Sequence, residues 1–192
     1  MTTKQLLEEL RSITQANLEL IRKKFSHLNQ VQLNWKKDND SWSINEIFAH
    51  LNQYAAYYHP AFLKKIEKTR FREPKEIFVS SPLGKSAWKS MKLGNAKNIK
   101  RRFKSPRSYN PSLDPSMVSG NDISTFQSRQ EEMMAIIDKA SAVNLRKAKI
   151  PISISKIVRL RLGDALLFVV YHNERHVQQA LNVLNHSSFP KK

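Results

Sequence analysis

Cysteine is missing from this chain. Its absence excludes disulfide bonds, thiolate metal ligands and a cysteine nucleophile. Any metal site in the protein must therefore use nitrogen or oxygen ligands. For the same reason, any thiol chemistry must use a thiol that a small-molecule cosubstrate brings.

Long apolar runs are missing as well. The longest uninterrupted run, residues 165–171, is far too short to span a bilayer, because a transmembrane helix needs about 20 apolar residues. The start of the chain lacks the basic-then-apolar layout of a signal peptide. Both observations predict a soluble, cytoplasmic protein without a membrane partner.

Acidic residues are scarce relative to basic ones: 16 Asp and Glu stand against 33 Lys and Arg, which gives a net charge of +17. Most of the excess lies in residues 64–107, where 15 basic and 3 acidic residues give +12. Such a segment is typical of a solvated loop, of a surface that attracts anionic small molecules, or of a nucleic-acid contact. Because no recognised nucleic-acid-binding motif is present, the third interpretation is the weakest.

The length of 192 residues and the hydrophobic content of 40% suit one domain, residues 1–192, with a substantial core. Four apolar stripes at helical period predict an all-α four-helix bundle. The predicted helices cover about residues 3–28, 44–68, 121–147 and 160–185, and a short extended piece at 150–157 precedes the last one. Residues 69–120 contain five prolines and predict a long, basic, irregular insertion with a short helix around Trp88.

Two histidines lie inside the apolar stripe of the last predicted helix. His172 and His176 are four residues apart, so both side chains point to the same side. A buried imidazole must find a hydrogen bond or a metal, because an unpaired buried polar group costs about 1–3 kcal/mol. The spacing alone leaves two interpretations open: core histidines with hydrogen-bond partners, or two ligands of one divalent ion.

A third histidine lies near the start of the second predicted helix. Ser43 and Glu46 form a capping-box pattern that begins this helix, and His50 borders its apolar side. His50 is either a partly exposed helix residue or a third ligand. Three nitrogen ligands leave a fourth position of a zinc ion open for water or substrate, an arrangement typical of catalytic zinc.

The two histidine motifs also resemble those of a known family. The chain is similar to the DinB/YfiT-like superfamily of metalloenzymes over nearly its whole length, through the pattern Trp42-Ser43-x-x-Glu46-x-x-x-His50-Leu51 followed by His172-x3-His176-x2-Gln179. The resemblance implies a four-helix bundle with a long crossover connection between its second and third helices. It also implies a metal held by His50, His172 and His176, and a homodimer.

For function, the resemblance implies a metal-dependent enzyme that acts on a small molecule, and the basic segment suggests that this molecule is anionic or polar. Relatives include thiol-dependent S-transferases and isomerases that use bacillithiol, mycothiol or glutathione, and a related hydrolase is a further option. Zinc is the favoured ion, nickel, manganese and iron are alternatives, and a low-molecular-weight thiol is the expected cosubstrate. Two other hypotheses stay open: a non-catalytic stress-response or binding module, and a basic nucleic-acid-associated protein.

Residues close to the three histidines in sequence are candidates for supporting roles. Histidine ligands usually pass their second N–H to a neighbouring acceptor, and Gln179 and Asn173 are the candidates for this role. Tyr54, Tyr57 and Trp88 are candidates for lining the substrate cleft.

Other polar residues are predicted to lie away from the metal. Arg175 should face away from the ligands and pair with an acid, and substrate binding is the alternative role. Asp164 should stabilise the positive end of the last helix's dipole. The remaining histidines have no second histidine three or four residues away. We therefore expect these residues to lie on the surface: His27, His59 and His186.

The position of the basic segment relative to the site stays open. If the segment serves the site, part of residues 64–107 should fold over the open metal position and line the cleft with Lys, Arg or Trp88. The alternative is a solvated loop on the far side of the bundle. Positive charge at a cleft attracts anions, and the groups expected to do so are Lys100, Arg101 and Arg102.

Overall fold

A computed structural model describes residues 1–94, 99 and 104–191 of the chain. Helices dominate this part, together with one small two-stranded sheet, so the prediction of a mainly helical protein is confirmed. None of the described helices is both long and apolar enough to cross a membrane. The helices are α1 (Thr3–Lys24), α2 (Gln30–Asn34), α3 (Ile44–Lys68), α4 (Pro82–Met91), α5 (Asp122–Ala140) and α6 (Leu162–Leu184), and the strands are β1 (Lys149–Ile152) and β2 (Ser155–Arg161).

The capping box predicted at the start of α3 is present, and it positions His50. Glu46 N donates to Ser43 Oγ at 3.2 Å, and Ser43 N donates to Glu46 Oε2 at 2.8 Å. These bonds satisfy backbone donors that the start of a helix leaves unpaired. His50 follows within the second turn and lies on the buried side of α3.

The first helix ends earlier than its apolar pattern predicted. α1 ends at Lys24 rather than near residue 28. Asn29 then caps the short helix α2, because Gln32 N donates to Asn29 Oδ1 at 3.0 Å. Asparagine competes well for backbone donors, so a new helix start replaces the continuation of α1.

The third predicted helix is also shorter than expected. α5 ends at Ala140 rather than near residue 147. Asn144 holds a turn beyond it, because its Oδ1 accepts from two following backbone N–H groups while its own N–H donates to Phe71 O at 2.9 Å. Side-chain acceptors of this kind favour turns over helix.

The extended piece predicted at 150–157 belongs to an antiparallel hairpin. β1 pairs with β2, and Ile150 lies opposite Leu160 with both side chains buried. β2 leads directly into α6, which begins at Leu162. The hairpin therefore lies at the N-terminal end of α6.

The four long helices pack around a shared apolar interior. α1 and α3 each contact both α5 and α6. Ring contacts between α3 and α6 pair Tyr58 with Phe168, Tyr54 with His172, and His50 with His176. Along these three contacts the residue numbers decrease from 58 to 50 on α3 and increase from 168 to 176 on α6. The two helices therefore run antiparallel. The histidines of the two motifs face each other across this contact.

The long connection between α3 and α5 contains a helix, as the sequence predicted around Trp88. α4 starts at Pro82, and Gly84 N donates to Ser81 Oγ at 3.0 Å. α4 packs on α6, where Asp164 Oδ2 accepts from both Ser81 N and Ser81 Oγ at 3.0 Å. The buried carboxylate of Asp164 therefore fastens α4 to α6.

Candidate metal centre

Three imidazoles meet at the contact between α3 and α6. One nitrogen of His50 on α3 and one each of His172 and His176 on α6 all lie within 4.8 Å of one another. The Nε2 atoms of His50 and His172 are 3.2 Å apart. Two nitrogens bound to a tetrahedral zinc ion, each at about 2.0–2.1 Å, would be separated by about 3.3 Å. The cluster is therefore compatible with a divalent metal ion.

The second ring nitrogens of two histidines have acceptors that orient the rings. His50 Nδ1 is 2.6 Å from Tyr109 O, and since a carbonyl can only accept, this Nδ1 carries the proton. His176 Nδ1 donates in the same way to Gln179 Oε1 at 2.9 Å. Both rings thereby present an unprotonated Nε2 to the centre. Gln179, one of two candidates for this contact, makes it, while a role for the buried Asn173 stays a prediction.

The third ring, that of His172, is held by packing. Its Nδ1 is buried and has no hydrogen-bond partner within the described residues. The ring stacks on Tyr54 at 4.3 Å and lies near Phe168 at 5.8 Å, centroid to centroid. These aromatic contacts restrict the ring and keep its Nε2 directed at His50.

Burial makes all three imidazoles weak bases. Desolvation lowers the pKa of His50 from its ordinary value of 6.5 to about 4, although its bond to Tyr109 O favours the protonated form. Desolvation also lowers the pKa of His172 and of His176 well below 6.5, and repulsion from neighbouring histidines and from Arg175 lowers both further. All three rings are therefore neutral at pH 7, the state in which imidazole binds a metal.

We expect the metal-free protein to lose stability as the pH falls below about 6.5. The unfolded chain protonates its histidines near 6.5, whereas folded His50 takes up its proton only near its pKa of about 4. The contribution of His50 to the free energy of unfolding is therefore complete above pH 6.5. It falls by about 2 kcal/mol between pH 7 and pH 5, at 1.36 kcal/mol per pKa unit. Urea unfolding in EDTA measures this loss. His50→Leu is the control and should show a smaller loss, so equal losses would contradict the assignment.

A cavity of about 1000 Å³ opens on the three histidines. Tyr54, one of the three cleft candidates, lines it. Tyr57 and Trp88 do not belong to its described lining. Tyr57 donates to Ile152 O at 3.0 Å, and Trp88 donates to Ser80 Oγ at 3.1 Å. Their neighbours Tyr58 and Ala87 line the cavity instead, since one residue along a helix turns the side chain by about 100°.

Arg175 belongs to the site, although we expected it to face away. It lines the cavity beside the histidines, and it is buried. Arg175 is three residues beyond His172, and residues at this spacing share one side of a helix, so the spacing alone could have identified it. Its guanidinium brings positive charge to a cavity whose histidines are neutral.

Trp42, which begins the pattern of the family resemblance but had no predicted role, also belongs to the site. Its ring lies 4.9 Å from the His50 ring and 6.1 Å from the His176 ring, centroid to centroid. It also lines the cavity. Because Trp42 directly precedes the Ser43 cap, the capping box that positions His50 positions this indole as well.

The remaining histidines differ in their surroundings. His27 is exposed, as expected. His59 is fully buried, contrary to expectation, and its Nδ1 lies 2.8 Å from Glu132 Oε2 on α5. Its partner is distant in sequence, so local spacing does not reveal the pair. His186 is partly buried against the Trp35 ring at 5.3 Å and lines the far end of the cavity.

The basic segment 64–107 reaches the cavity mainly with apolar groups. α4 contributes Leu83, Ala87 and Met91, and the chain after α4 contributes Lys104. The lining is more apolar than expected because α4 packs its apolar face towards α6 and leaves its lysines exposed. The other basic residues expected here lie outside the described part of the chain: Lys100, Arg101 and Arg102.

The sequence model of the DinB superfamily matches residues 13–180. This chain belongs to the DinB superfamily. No curated protein and no solved structure is similar enough to the chain to match it. In this DinB-superfamily protein, the matched range contains all three clustered histidines and most of the four long helices.

Proposed function

We propose that this DinB-superfamily protein is a metal-dependent enzyme that acts on a small molecule. The supporting observation is the convergence of three neutral histidines, His50, His172 and His176, on a cavity large enough for a substrate. Nitrogen ligands at this spacing favour zinc, with nickel, manganese or iron as alternatives. A bound divalent ion would supply Lewis acidity at a fourth position that faces the cavity.

The chain's own groups would hold and orient the reactants. Tyr109 O and Gln179 fix two of the ligand rings, so their Nε2 lone pairs keep their direction. Arg175 would attract an anionic or polar substrate into the cavity. Because the chain contains no cysteine, an S-transfer reaction would need a low-molecular-weight thiol as cosubstrate. We favour S-transfer, with hydrolysis or isomerisation as other reactions of the same site.

We further propose the architecture that the family implies. Residues 1–192 would form a single domain in which the four long helices make a four-helix bundle, with a long crossover connection between α3 and α5. We also propose that the protein is cytoplasmic and forms a homodimer. Analytical ultracentrifugation measures the oligomeric state, and a monomer at all concentrations would contradict the dimer.

Two other functions predict different behaviour. A non-catalytic stress-response or binding module would bind the metal but would not consume an electrophile in the presence of a thiol. A nucleic-acid-associated protein would bind DNA or RNA with an affinity that falls steeply with salt. The apolar lining that residues 64–107 give the cavity favours a small molecule over a nucleic acid.

We expect protein purified without a nickel column to contain about one divalent ion per chain, since three histidines make one coordination sphere. His176→Ala should lower the metal content at least about tenfold, because it removes one of three ligands. His176 is the most exposed of the three, so its truncation should leave the fold intact. Inductively coupled plasma mass spectrometry measures the metal, and circular dichroism checks the fold.

Two histidines outside the cluster are the controls for this measurement. His27→Ala changes an exposed residue, and His186→Ala changes a residue at the far end of the cavity. Both variants should keep the metal content of the wild type. A normal metal content in His176→Ala, or an equal loss in His27→Ala, would contradict the proposed ligand set.

A further inference from the structure

The cavity is elongated along α6. Its lining residues on this helix recur every three or four positions from Phe168 to Val183, and they include His172, His176 and Gln179. At a rise of about 1.5 Å per residue, this stripe is about 22 Å long. The histidines lie near its middle, so the cavity extends beyond them in both directions.

Towards the start of α6, the walls of the cavity are mainly apolar, with Ser90 and Ser153 as polar exceptions. Tyr58 on α3 faces Phe168 at 6.2 Å, centroid to centroid, and marks this end. α4 and both strands of the hairpin pack on α6. Their apolar contributions to the lining include Leu83, Ala87, Met91, Ile152, Ile154 and Leu160. We call this part the apolar end of the cavity.

Towards the end of α6, the walls contain more polar groups, although Trp35 and Val183 also line them. The link between α2 and α3 contributes Lys37 and Asp40, and α6 contributes Gln179 and Asn182. The contact of His186 with the Trp35 ring, described above, lies at this end. The two ends of the cavity therefore differ in chemistry, and the histidines lie between them.

Charged side chains of the described lining are mainly basic. Arg175 lies at the level of the histidines, and Lys37 and Lys104 also reach the cavity, against the single carboxylate of Asp40. Such a lining attracts an anionic group. The guanidinium of Arg175 carries five N–H donors and already interacts with another group of the protein.

We propose that this cavity binds an amphipathic anion, with an apolar chain or ring at the apolar end and an anionic group beside Arg175. The atoms next to the anionic group would then lie at the level of His172 and His176. This names a substrate class for the proposed metal-dependent enzyme and rests on that function for the reaction. Binding itself depends on the cavity alone.

The apolar end has a fixed wall, which favours binding. α4 is fastened at its start by the bonds from Ser81 to Asp164 and at its end by Lys92. Lys92 Nζ donates to Glu9 Oε1 at 2.9 Å and to Tyr171 Oη at 2.8 Å, and Tyr171 Oη donates to Glu9 Oε1 at 2.6 Å. Because the wall is already ordered, little conformational entropy is lost on binding.

Straight-chain alkyl sulfonates are suitable probes, since a sulfonate is a weak zinc ligand and reports on the cavity rather than on the metal. Isothermal titration calorimetry should show affinity rising about three- to fourfold per added methylene from butanesulfonate to octanesulfonate, as each methylene leaves water. 1-Octanol has the same chain without the charge. It should bind at least about tenfold more weakly than octanesulfonate, because it lacks the charge-assisted bond to the guanidinium.

Two isoleucines of the hairpin give a matched pair of variants. Both are exposed, Ile154 by 66% and Ile157 by 91%, but Ile154 belongs to the described lining of the cavity and Ile157 does not. Ile154→Asp should weaken octanesulfonate binding at least about tenfold, because the new carboxylate must be desolvated by the chain. Ile157→Asp should leave the affinity unchanged. A second lining variant, Ala87→Trp, should fill the apolar end and remove the dependence on chain length.

Several results would overturn this assignment of the substrate class. They are equal binding of butanesulfonate and octanesulfonate, binding of 1-octanol as tight as that of octanesulfonate, or the same loss of affinity in both isoleucine variants. Absence of octanesulfonate binding, with Ile154→Asp instead dissociating a dimer, would make the apolar end an interface between two copies of the chain. The zinc content of the same samples tests the proposed metal-dependent function separately, because the sulfonates do not need the metal.

Discussion

Gly84→Ala should lower the free energy of unfolding by about 3–5 kcal/mol and displace α4 from α6, through overpacking and the loss of buried hydrogen bonds. A Cβ at residue 84 would lie 2.5 Å from Asp164 Cβ and closer still to its carboxylate, whereas real Cβ atoms essentially never come within 3.0 Å of another atom in this way. Rotation of the carboxylate does not relieve the clash, because Asp164 Cβ is attached to the backbone of α6. α4 must therefore move, and the bonds from Ser81 to Asp164 are lost.

Gly94→Ala is the matched control for this substitution. No atom of the described residues lies within 4 Å of a Cβ at residue 94, so the stability should change by less than about 0.5 kcal/mol. Urea unfolding followed by circular dichroism measures both variants, and limited proteolysis of the connection between α3 and α5 detects a displaced α4. Equal unfolding midpoints for the two variants would show that α4 and α6 are not in tight contact at Gly84.

Zinc should stabilise the protein by about 4 kcal/mol when the free ion is about a thousandfold above its dissociation constant, and His172→Leu should lose this stabilisation. The variant removes one of the three proposed ligands. Without metal, His172→Leu should be at least as stable as the wild type, because leucine replaces a buried imidazole whose Nδ1 has no partner within the described residues. The proposed site would thus cost stability until it binds its ion.

Urea unfolding in EDTA and in buffered zinc measures both effects. His27→Leu changes an exposed histidine and should keep the full response to zinc. Stabilisation of His172→Leu by zinc to the same extent as the wild type would exclude His172 as a ligand. If His172→Leu without metal is clearly less stable than the wild type, the packing contacts of the imidazole stabilise the fold by more than its lost hydration destabilises it.

The three histidines could be predicted because each depends on spacing within one helix. Ser43 and Glu46 begin α3 through bonds that span three residues, and this start sets the direction of His50. His172 and His176 share a side of α6 because four residues make slightly more than one turn. The contact between these two helices at the histidines depends on how the helices pack. The apolar stripes indicate only which face of each helix is buried.

Helix lengths could be predicted less well, because polar side chains compete with the backbone. The apolar stripe of the first predicted helix continues to residue 28, yet Asn29 caps a new helix and α1 ends at Lys24. Asn144 holds a turn after α5 in a comparable way, through bonds to the backbone. The apolar stripe indicates which side chains are buried. It does not indicate which backbone groups form hydrogen bonds with a polar side chain.

The sequence by itself determined a mainly helical chain, the absence of thiolate ligands, and the helices that carry each histidine. Only the tertiary structure decided what surrounds them. Ser81 binds Asp164 across 83 positions of the chain, and His59 binds Glu132 across 73. The apolar wall that α4 forms beside the histidines depends on the first of these contacts. The strength of such a contact depends on the distance between the two polar groups and on how deeply both are buried. Both quantities are set when the helices pack, and no local sequence pattern predicts them.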